Sequence, residues 1–244
     1  MDTDGAILGA LHLFSPSLPI GAFAFSQGLE AAIESGHVAG AVALETWCDN
    51  VLRDSLQTLD CHYLRKAYQA ETNDAWAVVN EQILASRETA ELLSEDLLLG
   101  SSLKKWAENL EIDTPNVVEN SVVALYGWLA RKLEVPEEWT VTAFLWSWLE
   151  NQITVAAKAV PLGQNVLQKV LMSLKPRILE CLAQSKLTKL DTAFSTAPNL
   201  AILSAQHETQ YSRLFAHRRF DANITCGDWW SSWLGKNRAY PALM

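Results

Sequence analysis

The segment running from Phe144 to Gln164 limits most severely what this chain can become. As a helix it places Leu145, Leu149, Ile153, Ala156 and Val160 on one face and Phe144, Trp148 and Val155 on a second beside it. Only a narrow polar stripe remains, formed by Ser147, Asn151, Thr154 and Lys158. Such a helix needs apolar neighbours on most sides, which predicts the centre of a helical assembly. Pro161 ends it by removing a donor and pushing the preceding residue out of helical geometry. The single ammonium group of Lys158 suits either architecture or a working site.

The flanking sequence repeats the helical period. Ile7, Leu8, Leu11 and Phe14 fall at helical intervals until Ser15-Pro16-Ser17-Leu18-Pro19 stops them. Ser26 is expected to cap a short helix through Leu29 and Ile33 that Gly36 closes. Beyond Gly40, the residues Leu44, Trp47, Val51, Leu52, Leu56 and Leu59 predict a helix that Cys61 to Ala70 continues or restarts. Read as one helix, Glu81 to Leu99 puts Arg87 on the side of Ile83, Ala90, Leu97 and Leu98, with Glu88, Glu91 and Glu95 nearby. A guanidinium among leucines must be paired, and Glu91 is the nearest local candidate. Asp113-Thr114-Pro115-Asn116 predicts a turn and cap before a helix through Val118, Val122, Leu125, Leu129 and Leu133. Pro136-Glu137-Glu138 leads into the central helix, Leu162 to Leu182 bends at Pro176, and Thr196-Ala197-Pro198-Asn199 introduces Leu200 to Phe215. No run alternates as a half-buried strand does. The expected fold is all-α, a single bundle-like domain over residues 1–215. Residues 216–244, with Asp228-Trp229-Trp230-Ser231-Ser232-Trp233, form an atypical extension expected to be a docking peptide or poorly ordered.

Charge and composition exclude several functions. With 19 Lys and Arg against 28 Asp and Glu, the net charge of -9 argues against a general grip on nucleic acid. The first basic residue is Arg53, and Pro16 and Pro19 interrupt the early apolar run, so neither a secretory signal nor a membrane span is expected and the chain reads as cytoplasmic. Cys48, Cys61, Cys181 and Cys226 lack metal-ligand spacing and read as buried thiols, while ten tryptophans imply extensive burial or a partner surface. The glycines of Gly21 to Gly28 lack the Lys-Ser/Thr ending of a phosphate-cradling loop. His207-Glu208-Thr209-Gln210-Tyr211 approaches a zinc-protease helix, but Tyr211 stands where the second imidazole is needed. Adjacent helical positions disfavour joint chelation by Cys61 and His62, and His12, His37 and His217 are isolated in sequence. Glu137 with Glu138, and Glu88 with Glu91, read as helix-start acids and a solvated face. The residues leave open a small helical-bundle enzyme using Glu150, Lys158 or Glu208 in a central pocket.

Six separated segments carry a family likeness: Ser15 to Gly21, Ser26 to Glu30, Ser86-Arg87-Glu88-Thr89, Leu145 to Gln152, Val160 to Gln164, and His207 to Phe215. Together and in this order they resemble the urease accessory proteins UreF. The resemblance implies an all-α homodimer without bond chemistry of its own. It implies assembly with UreD (also called UreH), the GTPase UreG and apo-urease to support GTP-dependent nickel insertion, with nickel and GTP handled by the complex rather than by a cofactor of this chain; the alternative beside it is a direct nickel carrier with a dimer-assembled site using His12, His37, Cys61 or His62. Carried over by motif, Arg87, Glu88, Glu150, Asn151, Lys158, Gln164, Glu208, Tyr211, Ser212 and Arg213 are expected to contact partners or line a polar passage; no catalytic residue and no metal ligand is assigned. Ala22 and Phe25 depart from the family pattern, as does Ala216-His217 where Arg-Ser is usual.

Overall fold

Fully apolar faces on the central segment demand neighbours on several sides, and the computed structural model of the protein, which describes residues 3–187 and 193–215, supplies them. The helices are α1 (Thr3–Leu13), α2 (Leu29–Glu34), α3 (Ala41–Val51), α4 (Cys61–Gln69), α5 (Asn73–Ala85), α6 (Ala90–Asn109), α7 (Val122–Lys132), α8 (Glu137–Ala159), α9 (Gln164–Ser173), α10 (Lys175–Ser185) and α11 (Pro198–Glu208). The described residues contain no strand. Central α8 touches α1, α2, α3, α4, α7, α9 and α10. Both predicted faces are buried, with Leu145, Leu149, Val155 and Ala156 fully enclosed, and each such leucine contributes about 1.5–3 kcal/mol. Of the polar stripe, Ser147 and Asn151 are half-buried, while Thr154 and Lys158 face solvent.

Two close approaches depend on the absence of a side chain. A Cβ on Gly127 would lie 2.5 Å from the Leu64 carbonyl oxygen and 2.8 Å from the Tyr68 nitrogen, so α4 and α7 meet backbone to backbone. A Cβ on Gly100 would lie 1.8 Å from the Asn120 carbonyl oxygen, which fixes α6 against the entry to α7. Around these contacts the core closes over Trp76, Trp128 and Trp148, and Trp47, Trp106, Trp139 and Trp146 are half-buried against it. The Trp76 indole donates to the Ala124 carbonyl oxygen at 3.0 Å, so burying that ring leaves no orphaned donor. Cys48, Cys61 and Cys181 are buried free thiols; Cys226 lies outside the described residues, as does the 216–244 extension.

Several local expectations need correction. Glu81 to Leu99 is two helices, because Thr89 caps α6 by accepting the Leu92 amide and leaves 86–89 as a connection. Ser26 caps nothing; Gly28, at φ 79°, precedes α2, and the Ser26 hydroxyl has no protein partner. Ser121 rather than Asn116 begins α7, leaving Val118 outside the helix and 97% exposed. The last helix stops at Glu208 instead of reaching Phe215. On α1 the inward residues are Ala6, Ala10 and Leu13, while Ile7, Leu8 and Leu11 face outward. Between α3 and α4 the chain continues without a break, but Leu52–Asp60 is π-helical.

Candidate functional site

The interior near α8 is polar because three separate stretches send charged groups into it. The π-helical stretch ends at Asp60, α6 contributes Asp96, and the 86–89 connection delivers Arg87 between them. Arg87 Nη1 lies 2.9 Å from Asp60 Oδ1, and Arg87 Nε donates to Asp96 Oδ2 at 2.7 Å. Asp96 also accepts the Ser121 hydroxyl at 2.9 Å and the Val122 amide at 2.6 Å, so one carboxylate orders the start of α7 and anchors the guanidinium. Burial raises the Asp60 pKa, against the pull of Arg87, and Asp96 adds to the rise. The partner is therefore this acidic pair, and the nearest local candidate, Glu91, belongs to another cluster.

Arg87, Asp60, Glu95, Gln27, Trp148 and Asn151 border a cavity of about 120 Å³. Trp148 Nε1 donates to Gln27 Oε1, and Gln27 Nε2 donates to Glu95 Oε1 at 2.6 Å. Gln27 holds this place in a left-handed conformation at φ 50°. Asn151 Nδ2 donates to the Phe25 carbonyl oxygen at 3.0 Å, fastening the same loop to α8. Burial pushes the Glu95 carboxyl up to about 8 against the Gln27 bond, with Glu91 and Asp96 adding to the rise, so Glu95 is largely protonated at neutral pH.

A second cluster joins α2, α6 and α11. His207 is fully enclosed, with Nδ1 2.6 Å from Glu91 Oε1 and Nε2 2.9 Å from Glu30 Oε2. Burial opposes charge on this ring, but the bonds to Glu30 and Glu91 outweigh it and lift its pKa to about 9; both ring nitrogens then donate. Glu30 also accepts the amides of Leu214 at 2.5 Å and Phe215 at 3.1 Å, and these bonds with that of His207 hold its pKa below the usual value despite burial. Glu208 Oε1 accepts the Glu91 amide at 3.0 Å in the first turn of α6, where a carboxylate complements the helix dipole. The chain therefore turns sharply after α11 and returns to α2. Tyr211 on this turn is 100% exposed and Leu214 is 56% exposed.

The residues singled out by motif fall into separate places. Glu208, Tyr211, Ser212 and Arg213 form the turn, in which Arg213 donates to the Glu208 and Gln210 carbonyl oxygens. Lys158 adjoins it, with Nζ 5.3 Å from the Phe215 ring centroid and 5.8 Å from that of Phe23. Arg87, Glu88 and Asn151 line the interior cavity, and burial raises the Glu88 pKa against a hydrogen bond from Ser195. Glu150 is half-buried, and Gln164 is exposed at the first position of α9. Glu150, Lys158 and Glu208 do not line the cavity. Motif reading gave no role to Glu30, Asp60, Glu95, Asp96 and His207, and of the pair expected on a solvated face Glu88 is exposed whereas Glu91 is buried. Their spacing is the only available signal: Glu91, Glu95 and Asp96 share a helix side with Leu99.

Among the described residues, no group of three or more His, Cys, Asp or Glu side chains is arranged to hold a metal ion. His12 meets Trp106 edge to face, His37 bonds Ser35, and His62 lies edge-on to Tyr63. No helix in the described residues is long and apolar enough to cross a membrane.

Comparison with known proteins adds an independent line. The family model described as UreF matches residues 38–175. The urease accessory protein UreF of Marinobacter nauticus is 41% identical over 218 residues, covering 87% of this chain and 94% of that protein. The protein of the same name from Psychrobacter cryohalolentis is 38% identical over 223 residues, covering 87% and 95%. That of Chromohalobacter salexigens is 40% identical over 216 residues, covering 86% and 94%.

Proposed function

The chain belongs to the UreF family of urease accessory proteins, and from that premise we propose that it is a non-catalytic adaptor of urease maturation. It acts as a homodimer that joins UreD (UreH) and the GTPase UreG on apo-urease and supports GTP-dependent nickel insertion. Nucleotide and nickel are handled by the complex. The turn after α11 is the contact for UreD, and the observation that carries this reading is its geometry: an entirely exposed Tyr211 beside exposed Leu214, on a base fastened by buried bonds. An aromatic anchor on an ordered support is the form that interface hot spots take, because little ordering entropy remains to be lost. Lys158 and Arg213 add positive charge beside it. Arg87 and Asn151 belong to the polar interior, a passage rather than a docking face, with Glu88 at its exposed rim.

Co-expression with UreD and UreG, followed by affinity capture and urease activation, tests the reading. The expected result is a stable complex and activation of a strain lacking its own UreF. Capture of neither partner at micromolar concentration, or sustained substrate turnover by the lone chain, would refute it.

A further inference from the structure

The return of the chain after α11 is held at two levels, by the Phe215 ring, which is 2% exposed in the core, and by charge around its backbone. Leu214 and Phe215 attach through their backbone amides to Glu30, and Glu30 is in turn bound to His207. His207 is bound on its other side to Glu91, which sits one turn before Glu95 on α6. Two carboxylates against one enclosed ring balance only when the ring carries a proton; a neutral imidazole has a single N–H and leaves one carboxylate facing a lone pair. That carboxylate is either Glu91, which anchors the first turn of α6, or Glu30, which anchors the turn itself.

We propose that the Glu30–His207–Glu91 clamp is a positioning device that presents the 209–215 turn, and that loss of the His207 proton releases the turn. This makes presentation of the turn dependent on pH, full in the neutral range and lost on alkalinisation. The charged groups facing the ring are Glu30 from α2 and Glu91 from α6, with Glu95 beyond Glu91. On its own segment, Glu208 contacts the Glu91 amide and Arg213 bonds the Glu208 carbonyl oxygen. Glu95 ionises first as pH rises, which adds negative charge beside Glu91 and works against the loss of the His207 proton. The sign follows from His207: its value rises from 6.5 to about 9 on folding, so its contribution is complete below 6.5 and disappears as pH passes about 9. Glu30 acts oppositely at the acid end, where its contribution is lost as pH falls through its lowered value. The consequence for docking rests on the reading of the turn as the UreD contact.

The test uses the full chain. The His207 ring is titrated by NMR from pH 6 to 10.5, and amide exchange of Leu214 and Phe215, corrected for intrinsic rates, is followed with Leu129 of α7 as reference. The ring is expected to titrate near 9, and protection of both amides to fall by up to about 70-fold between pH 7 and 10, the ratio set by values of 6.5 and about 9, while Leu129, enclosed in α7, stays the most protected of the three at both pH values. Glu30→Gln, its fold checked by circular dichroism, is expected to move the ring titration downward. A ring that titrates at or below 7, or equal protection at the two pH values, overturns the proposal; the wild-type titration decides even if the variant does not fold. Capture on immobilised UreD, followed over the same range, separates the two readings. Protection lost with capture intact leaves the clamp standing and removes the turn as the contact, whereas capture lost with protection intact refutes the clamp alone.

Discussion

Arg87→Met should be among the most damaging single substitutions in the protein, although it inserts an apolar side chain into an interior site. The guanidinium neutralises two acids that are 4% and 3% exposed. Asp96 retains its bonds from Ser121 and the Val122 amide, but Asp60 loses its ion-pair partner, and its second oxygen already lacks a protein donor. Breaking a buried pair on one side costs about 3–5 kcal/mol. For a chain of this size that is a fall of roughly 6–20 °C in melting temperature. Without Arg87 the Asp60 pKa rises further, so folding holds Asp60 above its unfolded value of 3.8 and the deficit is largest at alkaline pH and shrinks toward pH 5. Adding Asp60→Asn should recover part of the loss, because it removes the stranded charge. Scanning calorimetry of wild type, the single variant and the double variant at pH 5 and 8 checks each statement. A melting temperature within 2 °C of wild type, or the same deficit at both pH values, would refute the buried-pair argument.

Gly127→Ala should destabilise by more than the ~1–3 kcal/mol usual for overpacking, since the new methyl meets the Leu64 and Tyr68 backbones rather than a movable side chain; thermal melts measure this. Thr89→Ala should cost about 1 kcal/mol in urea titrations through loss of the α6 cap, and more if the contact with Ser204 also matters. Glu95 binds a proton more tightly folded than unfolded, so stability falls as pH rises from 4.5 through about 8; Glu95→Gln should flatten that fall, as denaturant midpoints across the range will reveal. Tyr211→Ala should leave the melting temperature unchanged, because the ring is fully exposed, while abolishing capture by UreD in a pull-down.

Periodicity carries most of the helical architecture, and its failures have identifiable causes. Leu145, Leu149 and Ile153 are legible because their spacing alone states that one face is enclosed. The split of Glu81 to Leu99 is hidden because apolar residues continue in step across the connection; only Thr89, a cap residue inside an apparent helix, signals the break. Arg87 is recognisable as a charge that must be paired, but Asp60 and Asp96 are identified only by tertiary contact. His207 is less legible still, since its two acids lie 177 and 116 residues away along the chain. The inverted face of α1 records that Ala6 and Ala10 permit an approach to α7 and α8 that the larger Ile7, Leu8 and Leu11 do not.

The wide helical turn between Val51 and Cys61 works as a rotational setting. A residue removed between Leu52 and Leu59 with the winding kept would swing everything downstream by about 100° around the axis, carrying Asp60 away from Arg87 and turning Leu64 off its seat against Gly127. The length of this one loosened coil is therefore as constrained as the identity of any residue in it, and relatives able to exchange its side chains freely should still keep its count.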